Sequence, residues 1–181
     1  MVRFMNESIE RFKKVEADFN ARVEATPDSA WSNPSPCAQW KARDVVAHVA
    51  NNYRRIAGGT LPEIGEGEDI RKAWSASREG LHSMLASADL SANVDGPFGP
   101  MPLDQLMGRI IATDTLVHTW DLARAVGGDE KLDAEAVSGA YSGLKPMDAM
   151  LRNPGFFDAK VDPPAGADEQ TEFLCFLGRK V

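Results

Sequence analysis

Apolar residues recur three and four positions apart along most of this chain, which is the spacing of helices that bury one side. Ile9, Phe12, Val15, Phe19 and Val23 share one face of a first helix that stops at Thr26-Pro27, and Glu10, Lys13, Lys14, Glu16 and Asp18 are assigned to a solvated face. A second helix is predicted from about Ala42 to Ala57, ended by Gly58-Gly59, with Asp44 in its first turn complementing the helix dipole. Val45, Val49, Asn52 and Ile56 mark one side of it, with His48 at the edge of that face. A third helix, about Asp69 to Ala88, offers Trp74, Leu81, Met84 and Leu85 to a core and leaves His82 on a polar, solvent-facing side. The fourth is a long pattern from about Leu103 to Val126.

The segments between these helices carry breakers. Residues 27 to 40, PDSAWSNPSPCAQW, form an irregular connection from which Trp31 and Trp40 cover the core. Residues 60 to 69 read as an exposed loop, and Asp95-Gly96-Pro97-Phe98-Gly99-Pro100 interrupts helix with a short extended or hairpin segment. Asp133 caps a fifth helix reaching about Met150 and disturbed at Pro146; a loop spans 153 to 168; and Asp168 caps a short last helix with Phe173, Leu174, Phe176 and Leu177. Four substantial helices followed by a helical tail predict an all-α four-helix bundle with a small C-terminal helical extension. One domain is expected over 1–181, with a core of about 5–126 and an extension of about 129–181. No Gly-rich phosphate loop follows a strand-like run, which disfavours a nucleotide-binding α/β fold.

Composition narrows the function classes. At 181 residues with 43% hydrophobic, the chain suits a globular domain with a full core. Lys plus Arg number 20 against 27 for Asp plus Glu, a net charge of −7, so a nucleic-acid partner lacks the basic face it needs. No apolar run approaches the roughly 18 residues of a membrane span. Glu7, Glu10 and Arg11 stand where a secretory signal would be apolar, so the expected location is the cytoplasm. Cys37 and Cys175 are too few and too far apart in sequence for a disulfide framework and are read as thiols.

Candidate chemistry sits in the fourth helix. Leu103, Met107, Ile110, Asp114, His118, Asp121 and Ala125 lie on one side, so two carboxylates and an imidazole interrupt an apolar seam, and buried groups of that kind need partners. Asp114 and His118, at i and i+4, can grip one divalent ion, with His48 from the second helix as the remaining ligand. Two imidazoles and a carboxylate leave positions open for water or substrate and suit Zn²⁺, Ni²⁺ or Fe²⁺. Asp121 is assigned to orienting an imidazole or to a salt bridge. The same spacing also fits an Asp-His salt bridge, and a lone His48 fits a hydrogen-bonded core histidine, so spacing leaves both readings open. Cys37, ahead of the second helix, fits either a thiol of lowered pKa or a small buried filler, and Arg152 and Arg179 either an anion site or salt-bridged surface.

The segments WSNPSPCAQWKARDVVAHV (31–49), DTLVHTWDLARAVGG (114–128) and FLCFLGRKV (173–181) resemble the actinobacterial metal-binding family related to mycothiol-dependent maleylpyruvate isomerases, within the DinB-like superfamily. The resemblance implies a four-helix bundle with a divalent ion, commonly zinc, between its helices. By motif, His48 matches the histidine of the AHV segment and His118 that of VHTWD. Asp114 stands where the isomerase pattern has glutamate, a longer acid, so the helices must approach more closely here. Lys41 stands where similar sequences often carry a Ser or Thr cap. A small tail is expected in place of the isomerases' additional C-terminal domain, so their particular reaction is not to be assumed.

The resemblance therefore implies a metal- and thiol-dependent transferase or isomerase that uses mycothiol as cosubstrate and acts on an electrophilic small molecule. The competing classes are a metal-dependent hydrolase, and a non-catalytic bundle that binds metal or senses a ligand. A homodimer is compatible with a helical bundle, and no motif specifies one.

Overall fold

The computed structural model describes residues 2–59, 61–153 and 157–181, with side chains from residue 7 onward. Helix makes up 61% of the chain, and the described residues hold a single two-stranded sheet, so the all-α class is observed. The chain divides into two compact units, Met1–Glu130 and Lys131–Val181.

In the first unit, α1 (Val2–Ala25) buries the face formed by Ile9, Phe12, Val15, Phe19 and Val23, each 8% exposed or less. Full burial of such side chains contributes about 1.5–3 kcal/mol apiece. α2 (Ala42–Ile56) begins where the backbone N–H of Lys41 donates to Asp44 Oδ2 at 2.8 Å. Lys41 brings no capping side chain, so Asp44 supplies the reciprocal half of a capping box from within the first turn. α3 (Ile70–Ser87) has Asp69 as N-cap, accepting from the amides of Arg71 and Lys72. Phe12, Phe19, Tyr53 and Trp74 then join α1, α2 and α3 through tilted and edge-on ring contacts, with centroids 5.0 to 5.6 Å apart.

One expectation fails at this interface. Glu16, placed on the solvated face, is 2% exposed and meets His82 Nε2 at 2.8 Å and Arg78 Nε at 3.3 Å. The Arg78 guanidinium and the His82 ring nitrogen on α3 give the buried carboxylate its partners. His82 remains exposed, as expected, but it is engaged by this buried carboxylate.

The hairpin of β1 (Asn93–Gly96) and β2 (Gly99–Pro102) leads into the long helical run that carries the site. That run has three parts: α4 (Leu103–Gln105), a π-helical stretch Leu106–Ile111, and α5 (Ala112–Val126). An uninterrupted α-helix would put Ile110 in the seam, yet Ile111 is buried and Ile110 only half-buried. The wider π turn delays the helical phase by about one residue, and such turns are frequent beside functional sites. Here it ends three residues before Asp114. α1 packs against both the π stretch and α5, and α2 packs against α3 and α5.

Gly108 marks the tightest approach to α1: a Cβ there would lie 2.6 Å from Ser8 Cβ and 2.8 Å from its Cα and carbonyl oxygen. Gly108→Ala gains up to about 1 kcal/mol of helix propensity but must force backbone apart, so a net loss of ~1–2 kcal/mol is expected in thermal unfolding. An unchanged or raised melting temperature would count against this packing.

In the second unit, α6 (Ala134–Leu144), a 3₁₀ turn Lys145–Met147 holding Pro146, α7 (Asp148–Leu151) and α8 (Glu169–Phe176) surround a small apolar centre. Tyr141 meets Phe173 and Phe176 with ring centroids 6.0 and 5.6 Å apart. Asp133 and Asp168 cap α6 and α8, accepting from Ala136 N and Thr171 N. Arg152 is committed to this unit, donating to Asp148 Oδ1 at 3.1 Å and to the Phe176 carbonyl at 2.8 Å.

Candidate metal centre

Thr115 through Ala123 are all buried, so α5 passes through the interior with no solvated side along this stretch. Its polar groups are satisfied locally: Thr119 Oγ1 donates to the Thr115 carbonyl at 2.8 Å, and Thr115 Oγ1 lies 3.2 Å from the Tyr53 hydroxyl. His118 and Asp121 are the ionisable groups of that buried stretch, 7% and 0% exposed.

α2 and α5 bring the ring nitrogens of His48 and His118 and a carboxylate oxygen of Asp114 within 4.8 Å of one another. Asp114 Oδ1 stands 3.3 Å from His48 Nε2 and 3.5 Å from His118 Nε2. Donor atoms on a tetrahedral zinc lie about 3.3–3.4 Å apart, given bonds of roughly 2.0–2.1 Å. The two imidazoles and the carboxylate suit a divalent ion in kind, and the two separations at Asp114 Oδ1 lie close to that spacing.

Each of these side chains is held by others. Asn52, one turn beyond His48, donates from Nδ2 to Asp114 Oδ2 at 3.1 Å, leaving Oδ1 turned to the imidazoles; Arg55 Nη1 in turn donates to Asn52 Oδ1 at 2.9 Å. On the far edge of the His118 ring, Nδ1 lies 2.9 Å from Asp121 Oδ2. With Asp121 ionised, Nδ1 carries the proton and Nε2 faces the cluster. Cys37 Sγ donates to the same Asp121 oxygen at 3.3 Å. Cys37, His118 and Asp121 form a second close group of metal-binding residue types; with the first, these are the two such groups among the described residues.

The loop before α2 supplies the remaining wall. Its shape is set by Ala42 N donating to the Asn33 carbonyl, Trp40 N to the Cys37 carbonyl, and Asn33 Nδ2 to the Ala125 carbonyl at 3.1 Å, which ties it to the end of α5. Gln39 turns the chain with a left-handed φ of 68°. Trp40 then stacks on His118 at 5.8 Å and leans over His48 at 5.0 Å.

Exposure is uneven across the cluster. The side chains of His48 and Asp114 are 33% and 27% exposed, against 8% for His118 and 0% for Asp121, so the cluster opens to solvent on its His48 and Asp114 side. Burial alone would push the Asp114 carboxyl up and the His118 imidazole down. Mutual attraction overrides it: beside His118 and His48 the carboxyl is held well below the usual carboxylate range, and beside Asp114, Asp121 and Cys37 the imidazole rises well above its usual value.

Asn52, Trp40 and Cys37 went unassigned to the site in the sequence, Asn52 being read as one more position on a helix face. Its i+4 spacing from His48, the same as that of Asp114 and His118, was the available signal. No local signal carries the Cys37–Asp121 pairing, because 84 residues separate the two.

No helix among the described residues is long and apolar enough to cross a membrane. No solved structure matches the chain. Two uncharacterised proteins of Mycobacterium tuberculosis, from two strains, are each 29% identical to it over 154 residues, 82% of this chain and 84% of theirs. Over residues 12–63, which hold most of α1, the Trp40 loop, all of α2 and His48, the chain matches the family model described as the mycothiol maleylpyruvate isomerase N-terminal domain, the family its motifs resemble.

Proposed function

We propose that His48, Asp114 and His118 bind a divalent metal, zinc before nickel or iron, and that the protein is a cytoplasmic thiol-using transferase or isomerase with mycothiol as cosubstrate. The observation that carries this is the pair of donor separations at Asp114 Oδ1, 3.3 and 3.5 Å, in a cluster open on one side. A closed structural ion would have no use for that opening. The match to a mycothiol-related domain over the segment that contains His48 supports the choice of thiol.

His48, Asp114 and His118 would hold the ion, and the chemistry it would supply is a lowered thiol pKa near neutral pH. The surrounding residues have separable tasks. Asp121 would keep the proton on His118 Nδ1, so that Nε2 is the nitrogen left to bind the metal once its own proton is released. Asn52 fixes which Asp114 oxygen faces inward. Trp40 walls off the two imidazoles and limits water around them. The thiol and its electrophile would approach past His48 and Asp114, where the side chains are accessible.

The test is a rate. Zinc-loaded protein incubated with mycothiol and a chromogenic electrophile should form the thioether faster than protein stripped by chelation, and faster than zinc-loaded His48→Ala. Equal rates in all three would leave a non-catalytic bundle. Asn52→Ala should weaken zinc affinity ~10–100-fold, the usual cost of removing a group that orients a ligand, while leaving the helical circular-dichroism signal intact. Unchanged affinity in a competition titration would remove Asn52 from the site.

A further inference from the structure

Arg54 lies six residues after His48 on α2, ~240° around the helix, so it leaves on a different side from the candidate ligands. It is 8% exposed. Nε donates to Ser77 Oγ at 2.9 Å, and Nη1 to the Pro62 carbonyl. Both acceptors are neutral, and among the described residues no carboxylate pairs with this guanidinium. A buried arginine ordinarily brings a carboxylate with it, because removing the charge from water is costly.

What lies beside Arg54 is a pocket of about 300 Å³ between α2 and α3, half open to solvent, with Leu61, Ala76, Ser83 and Ser87 on its exposed rim. Its polar wall is Arg54 with Ser77, Ser83 and Ser87, and its apolar wall includes Ala57, Leu61 and Met84. The volume is at the small end for a metabolite pocket. Among the described residues that line it, Arg54 is the one lysine or arginine, which suits a single negative charge better than a phosphate dianion.

We propose that this cavity binds a small monocarboxylate with a short aliphatic tail, the carboxylate against Arg54 and the tail against Ala57, Leu61 and Met84. Arginine has five N–H groups in a planar fork, and the hydrogen bonds to Ser77 and Pro62 leave donors for the ligand. Because Arg54 and His48 leave α2 on different sides, the site is separate from the candidate metal centre and survives if that assignment fails.

The fold supplies a clean blocking variant. Gly80 lines the cavity, and a Cβ built on it meets nothing within 4 Å, so Gly80→Leu places a side chain in the void with no backbone clash. It also improves helix propensity, so loss of fold is not the expected consequence.

The experiment titrates full-length ¹⁵N-labelled protein with pentanoate and, separately, with inorganic phosphate, and reads the amide shifts. Pentanoate should give saturable shifts at Ser77, Gly80 and Ser83, with an affinity at least ~10-fold above that of phosphate. Gly80→Leu and Arg54→Gln should each weaken it by at least ~10-fold, with the remaining amide spectrum unchanged in Gly80→Leu. Absence of saturable shifts, equal binding of phosphate, shifts confined to the His48 and His118 amides, or full binding by Gly80→Leu would each overturn the proposal.

Discussion

Wild-type protein purified without chelator is expected to carry about one zinc per chain, and His48→Ala less than about a tenth of that, because losing one of three protein ligands costs well beyond the ~10–100-fold typical of an orienting neighbour. His48 is the more informative position for the substitution. It is one-third exposed and is not part of the Asp121 pairing, so its removal leaves the buried groups of α5 as they were. His118→Ala should lose metal at least as completely, but it also takes from Asp121 the imidazole that meets it at 2.9 Å inside the bundle, although Cys37 still donates to the same oxygen. A larger loss of stability is therefore expected from His118→Ala than from His48→Ala, which gives up only the partly exposed contact with Asp114. Elemental analysis with a thermal melt separates the two effects. Stoichiometric zinc in both variants would remove the triad from consideration.

Raising the pH should move the metal-free and zinc-loaded forms in opposite directions. His118 has a raised pKa in the folded chain, so its pairing stabilises fully below the unfolded value of about 6.5 and is lost as pH climbs through the raised one. Asp114 is depressed, so its contribution is present above about 3.9 and is lost as pH falls towards its folded value. In chelator the pair supports the fold best between about pH 4 and 6.5, and its contribution declines above that. Zinc requires His118 Nε2 without a proton, so binding releases that proton, and the stabilisation zinc adds should grow over the same rise. Melting temperatures at about pH 6, 7.5 and 9, with chelator and with zinc, measure both slopes. Parallel curves, or no proton release by calorimetry in buffers of different ionisation enthalpy, would show that His118 is not displaced from Asp114 by metal.

Most helices were legible because their signals are local. The three- and four-residue spacing of Ile9 through Val23, the Asp69, Asp133 and Asp168 caps, and the Gly-Pro breakers of the hairpin all act within a few residues of themselves. Glu16 was misassigned for the complementary reason. A carboxylate is usually solvated, and what allows this one to be buried is an arginine and a histidine more than sixty positions away. Ile110 was misplaced because no residue type announces a π turn.

For the candidate site, the sequence by itself determined the donor types and their spacing on one helix, since i and i+4 on an α-helix share a face whatever surrounds them. It also determined, through the motif around it, that His48 was the histidine to consider. Tertiary structure decided the rest. The π turn sets the phase in which Asp114 arrives, packing of α2 on α5 sets the 3.3 Å approach of His48, and the loop tied to Ala125 brings Trp40 and Cys37 to the rings. These are relations between segments whose relative placement only the closed core specifies, which is why no local pattern encodes them.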